Sequence, residues 1–155
     1  MLKRPPNIRG FTLIEALLVM ALVAVFAALV PPLLSKALPG IQMKATARII
    51  ASAMRRARIN AINTGKDVSL IVDIERYTVQ VGDSNYIIHI PTVLNVKLDT
   101  ADQELIDNQR GGIRFYPNGT STGGRVTLYY QTNGYGMDVD WLTGRVQILP
   151  IASPP

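Results

Sequence analysis

Glu15 is the one ionisable residue among the twenty positions from Phe11 to Val30, and that setting makes it the first candidate for chemistry. A carboxylate inside an apolar membrane helix costs about 2.5–3.5 kcal/mol even on a lenient insertion scale, so it is kept where a partner meets it. No basic residue lies within helical reach of Glu15 inside the run, which points to a partner outside its own segment. The other candidates are weaker. His89 is the only histidine, which excludes a triad and a multi-histidine metal site by count; within Ile87-Ile88-His89-Ile90 it reads as a partly buried strand histidine. The absence of cysteine excludes a disulfide scaffold, a thiolate zinc site and a cysteine nucleophile. Asp138 and Asp140, two apart on one strand face, are oxygen donors of the kind calcium takes, but with no third carboxylate in reach they read as a solvated face. Gly111-Gly112 and the glycines between Gly119 and Gly124 lack the spacing, the lysine and the strand-loop-helix context of a phosphate loop, so they read as turn chemistry. Asn118-Gly119-Thr120 matches a glycosylation acceptor in form only. No catalytic set, metal site or cofactor is expected.

The elements that position Glu15 follow from the distribution of charge. The 155 residues suit one domain with a modest core. Lys3, Arg4 and Arg9 give residues 1–10 a charge of +3, and Glu15 alone makes residues 11–35 −1. Lys36, Lys44, Arg48, Arg55, Arg56 and Arg58 give residues 36–58 +6, and the remainder carries −3. A basic stalk is therefore joined to a mildly acidic head, and the whole-chain charge of +5 is no argument for a nucleic-acid partner. A helix over the twenty-residue run would span about 30 Å, the hydrocarbon thickness of a bilayer, so a membrane helix is expected. The basic N-terminus orients it with that end in the cytoplasm and the rest exported. A conventional cleaved signal peptide is the rival, and both Gly10 before the run and Glu15 within it count against that rival.

Arg9-Gly10-Phe11-Thr12-Leu13-Ile14-Glu15 resembles the class III signal of type IV pilins and type II secretion pseudopilins. The resemblance implies cleavage between Gly10 and Phe11 by a prepilin peptidase, N-methylation of the new Phe11 amine, and retention of the apolar helix. It also implies a subunit-assembly role for Glu15, whose carboxylate would meet the N-terminal amine of a neighbouring subunit. That pairing is what a charge in lipid requires.

Beyond the run, Pro31 and Pro32 remove two amide donors and are expected to kink or interrupt the helix. Met43, Ala47, Ile50, Met54, Ala57 and Ala61 recur at steps of three and four, the stripe of an amphipathic helix, with Lys44, Arg48, Arg55 and Arg56 opposite and Thr64-Gly65 as its end. The period then becomes two. Strands are read near Val68–Val72, Tyr77–Val81, Tyr86–Ile90, Val93–Leu98, Ile113–Tyr116, Val126–Tyr130, Tyr135–Asp140 and Val146–Leu149. Gly82-Asp83, Asn118-Gly119, Asn133-Gly134 and Thr143-Gly144 are read as turns.

The expected fold is α+β, a pilin-like lollipop: a long N-terminal helix packed on an antiparallel sheet or sandwich head. Its segments are a leader over 1–10, a transmembrane helix over 11–34, an amphipathic stalk helix over 35–64 and a periplasmic β-rich head over 65–155.

Ala53 to Ile62 with Val68-Ser69-Leu70, Ile113 to Val126 with its Phe115, Pro117 and Gly119, and Asp138 to Val146 are similar to the GspH/FimT family of minor pseudopilins and pilins. Asn118 stands where many relatives have Asp, a change that costs little in a turn because both residues tolerate left-handed geometry. Residues 82–110 carry no motif. The resemblance implies a non-enzymatic minor pseudopilin at or near the tip of a periplasmic pseudopilus, anchored in the bacterial inner membrane and supporting protein export. Its partners would be the other minor pseudopilins, the major pseudopilin, the prepilin peptidase/methyltransferase and the inner-membrane assembly platform. The alternative is a FimT-like minor pilin of a type IV pilus that binds DNA in uptake. Arg55 and Arg56 on the helix and Arg110, Arg114 and Arg125, read as loop arginines, are the candidate DNA or partner contacts. The stretch lacks the interleaved aromatics of single-strand binders, so partner or lipid contact is preferred and nucleic acid is not expected.

Overall fold

The computed structural model describes residues 12–82, 86–107 and 109–152, with the side chains of residues 30–37 excepted. The leader, Gly10 and Phe11 lie outside the described residues. Helix α1 runs Leu13–Thr64. It starts where Thr12 accepts the Glu15 amide on its hydroxyl at 3.4 Å, with Glu15 three positions on, the spacing of a capping box. It stops at Gly65, whose φ of 65° is the left-handed geometry a helix C-cap needs and whose amide closes on the Ala61 carbonyl at 3.0 Å. Pro31 and Pro32 fall inside the helical span, so the interruption that the sequence offers as one reading does not occur.

The chain divides into two compact units between Ala37 and Leu38. In the first, the helix presents Leu13 to Leu29 exposed on all sides, an apolar surface broken only by Glu15. These are seventeen residues, and among the described residues no helix is long and apolar enough to cross a membrane.

Among the described residues the second unit joins the rest of α1 to eight strands: β1 (Val68–Asp73), β2 (Thr78–Val81), β3 (Ile87–His89), β4 (Asn95–Asp99), β5 (Arg110–Phe115), β6 (Gly124–Tyr130), β7 (Asn133–Val139) and β8 (Val146–Ile151). A 3-10 turn, Asp102–Glu104, lies between β4 and β5. Two antiparallel sheets result, ordered β3-β2-β1-β5 and β4-β6-β7-β8. Every stripe residue read from the sequence is buried, and Thr46, Ala51 and Ala53 join them. The alanines keep that helix face thin, so the strands approach closely. Met43, Ile50 and Met54 share one continuous core with Leu70, Val72, Val79 and Ile88 of one sheet, Ile113 and Phe115 of its β5, and Val126, Leu128, Met137 and Val146 of the other.

Two local expectations are corrected. Asn133-Gly134 opens β7 and is not a turn; the hairpin turns at Gln131-Thr132, with Gln131 at φ 55°, and Tyr130 pairs with Asn133. A Cβ at Gly134 would lie 2.9 Å from the Leu128 carbonyl, so this glycine serves close strand approach. Asn118 does not use a left-handed backbone: Gly119 takes that geometry at φ 84°, while the Asn118 side chain accepts from the Thr120 amide at 3.1 Å and the Thr120 hydroxyl at 2.7 Å.

Candidate assembly surface

Glu15 occupies the first turn of α1, exposed, and its neighbours Leu13, Ile14, Leu17 and Leu18 are exposed as well. An acidic residue in the first turn is favoured by the helix dipole, yet a helix that is apolar on all sides calls for cover from lipid or other helices.

In the second unit the basic residues fall into two sets. Arg110, Arg114 and Arg125 are not in loops. Arg110 opens β5, Arg114 lies within it and Arg125 lies in β6, and each has a carboxylate partner. Arg110 donates Nε–H to Asp107 at 2.8 Å; the Gln109 amide and then Arg110 hold the Asp107 carboxyl below its ordinary value, and Asp107 in turn raises Arg110. Arg114 donates to Glu104 at 2.9 Å and reaches Asp67 at 3.8 Å, and its hydrogen bond to Glu104 raises its pKa. Arg125 forks onto Asp138, with the second bond at 2.7 Å, and is raised by that contact. The strand register brings the last pair together, since Arg125 stands opposite Asp138 in the β6–β7 ladder.

The helix arginines have no such partners. Arg55 reaches the Val146 carbonyl at 3.4 Å, Arg56 lies over the Tyr86 ring at 5.3 Å, and Arg58 donates Nε–H to the Gly119 carbonyl at 3.0 Å. Among the described residues none of the three forms an ion pair. Arg58 thereby ties α1 to the β5–β6 loop. It also packs under the β7–β8 turn, where a Cβ on Gly144 would meet its Nε at 2.7 Å and clash with the Gly119 carbonyl.

The carboxylates considered for calcium are occupied otherwise. Asp138 serves Arg125, and Asp140 accepts from the Thr143 amide and hydroxyl, both at 2.8 Å, which holds its carboxyl below its ordinary value. Among the described residues no group of three potential metal ligands occurs. Gly111-Gly112 lie inside β5, and a Cβ on Gly111 would strike Leu98 at 2.8 Å, so they admit the packing of the 98–105 segment. His89 is exposed, contrary to the partly buried position expected, because the pairing of β3 with β2 turns Ile88 inward. Two residues escaped sequence reasoning. Arg58 reads in the sequence as one of the stalk charges, and Glu104, in a stretch without a motif, is a buried carboxylate with 8% side-chain exposure that anchors Arg114.

Comparison with known proteins places these features. The family model described as type II transport protein GspH matches residues 46–144, and the prokaryotic N-terminal methylation motif matches residues 5–31. The type II secretion system protein H of Xanthomonas campestris pv. campestris is 31% identical over 148 residues, covering 96% of this chain and 87% of that protein. The minor pseudopilin EpsH of the Vibrio cholerae type 2 secretion system superposes with a TM-score of 0.56 at 11% identity, over 70% of this chain and 96% of its own. The type IV minor pilin FimU of Pseudomonas aeruginosa gives 0.53 at 15% identity, over 72% and 96%. At such identities the two structures speak for the fold, an N-terminal helix packed on antiparallel sheets. The segments that converge on Arg58, namely the end of α1, the Gly119 loop and the Gly144 turn, all fall within the matched 46–144 region, and on that match this chain belongs to the GspH family of type II transport proteins.

Proposed function

We propose that this chain is a minor pseudopilin subunit of a type II secretion system, a structural component without an enzymatic activity of its own. One observation carries the reading: an N-terminal methylation motif over residues 5–31 and a GspH head over 46–144 stand in the same chain. In this reading prepilin peptidase cleaves between Gly10 and Phe11 and the Phe11 amine is methylated. The apolar helix stays in the inner membrane, N-terminus cytoplasmic and head periplasmic, bent at Pro31 and Pro32. Glu15 pairs with the N-terminal amine of a neighbour as the subunit joins the pseudopilus at or near its tip. The charge cost of a lone carboxylate in lipid supplies the driving force for that pairing. Other minor pseudopilins, the major pseudopilin and the assembly platform are the partners.

A DNA-binding pilin of the FimT type is the second reading, and the likeness to the type IV minor pilin FimU speaks for the shared fold alone. Three of the five arginines it would use, Arg110, Arg114 and Arg125, are already paired with carboxylates, which weakens it. The test is complementation of a strain lacking this gene. The unaltered chain is expected to restore export of secreted proteins, and Gly10→Asp to accumulate as uncut precursor and restore nothing. Normal trimming of Gly10→Asp, or a deletion that spares export and abolishes a pilus phenotype, would overturn the reading.

A further inference from the structure

The turn between β7 and β8 carries two exposed large apolar side chains, one of them the tryptophan, on a hydrogen-bonded loop. Trp141 and Leu142 are 65% and 59% exposed. Beneath them Asp140 accepts from both Thr143 donors, the Gly144 amide closes on the Asp140 carbonyl at 2.8 Å, and the Asp140 amide closes on the Arg145 carbonyl at 3.0 Å. Gly144 packs against Arg58 and the Gly119 loop. Flexible apolar tips lose ordering entropy on binding; a tip fixed in advance loses little, the condition under which a Trp and a Leu become strong anchors.

Beside the tip runs a groove of about 520 Å³ lined by Arg55, Arg58, Ile59, Thr143, Arg145 and Val146. Ile59 is 53% exposed at its edge. Among the described residues its three guanidinium groups, like that of Arg56 outside the groove, are without a carboxylate partner. Where each strand arginine has a carboxylate, Arg55 and Arg58 have only the backbone carbonyls of Val146 and Gly119, and Arg145 has no ion pair among the described residues. The carboxylate in the same turn, Asp140, is engaged by Thr143. The groove is thus cationic, apolar along one wall and short of anions.

We propose that this groove and the Trp141-Leu142 tip form a docking surface for a carboxylate-bearing amphipathic segment of a protein partner. The partner's apolar side chains cover Ile59, Trp141 and Leu142, and its carboxylates meet Arg55, Arg58 and Arg145. Charge complementarity selects the occupant, since the unfilled valence of the site is for anions while its exposed surface is aliphatic and aromatic. A nucleic acid would answer the charge and leave Leu142 and Ile59 uncovered. The inference rests on the reading of the chain as an assembly subunit, because it names the surface through which such a subunit would hold another.

Trp141 is the sole tryptophan, so its emission reports the site directly. The full-length chain in neutral-detergent micelles is titrated with a short amphipathic peptide of leucine and glutamate, its lysine counterpart, duplex DNA, and micelles doped with phosphatidylglycerol. The glutamate peptide is expected to shift the emission to the blue, and Arg55→Glu combined with Arg145→Glu to weaken it at least about tenfold. Lys66→Glu, exposed and outside the groove, should change nothing. If the double substitution lowers the melting temperature, Ile59→Ser, which removes no hydrogen bond of Arg55 or Arg58, carries the test instead and should weaken the peptide without altering the melt. A response to the lysine peptide, to DNA or to the anionic lipid equal to that for the glutamate peptide overturns the proposal, as does no response to any probe. Export in the complementation assay does not enter these titrations, so the docking surface and the secretion role fail separately.

Discussion

Arg58 and Gly119 stand sixty-one residues apart in sequence and 3.0 Å apart in space, joined by the guanidinium Nε–H given to the glycine carbonyl. Around that bond the end of α1, the β5–β6 loop and the β7–β8 turn are packed too tightly for a side chain at Gly144. Both loops are thereby tied to one helix residue.

Gly144→Ala is expected to be among the most destabilising single changes in the head. The residue sits at φ 60°, and an added methyl would press on the Gly119 carbonyl and the Arg58 Nε together. A loss of at least about 2 kcal/mol follows, measured by thermal or urea unfolding. Arg58→Met, which keeps the stem and deletes the donor, should cost about 1–2 kcal/mol. An unchanged melt for Gly144→Ala would refute the packing argument.

Arg114→Ala removes the donor at 2.9 Å from a buried Glu104 and should destabilise by about 1–3 kcal/mol. In the double change with Glu104→Ala the loss should be smaller than the sum of the two, since neither group is then left without its partner. Simple additivity in urea unfolding would show that the pair is not coupled.

Asp140 gives the pH dependence. Its hydrogen bonds from Thr143 hold the folded carboxyl below the ordinary 3.8. A carboxyl depressed on folding contributes stability that is complete above its unfolded pKa and is lost as the pH falls through the folded value. The turn should accordingly hold at pH 5 and above and loosen only in stronger acid. A carbon-13 titration of the Asp140 carboxyl is expected to show its midpoint below 3.8. Asp140→Asn keeps an acceptor and should hold the turn without that titration.

Glu15→Ala should be trimmed like the unaltered chain, because the proposed cut between Gly10 and Phe11 lies outside the altered position. It should nevertheless fail to co-purify with other pseudopilins after cross-linking in membranes. Undiminished recovery of cross-linked partners would remove the assembly role from this carboxylate.

The periodicity of the sequence foretold the helix stripe from Met43 to Ala61 and all eight strands, because burial on one face leaves its period in the residue types. It misjudged what depends on partners far along the chain. His89 looked half-buried from its aliphatic neighbours, and the pairing of Thr78 with His89 decides otherwise. Arg114 and Arg125 looked like loop cations because their carboxylates are supplied by the 3-10 turn and by strand register, whereas Arg110 takes the nearby Asp107, three residues before it. Arg58 left no local trace, since its acceptor is a backbone carbonyl that any residue could provide.

The exchange of β4 and β5 between the sheets has a mechanical consequence. One sheet takes β1, β2, β3 and β5, the other β4, β6, β7 and β8, so neither is built from a continuous stretch of chain. The strands are laced as in a lock stitch, and α1 enters the core they share. A tug on the helix therefore loads both sheets at once, and the head should yield in a single rupture with no half-unravelled intermediate.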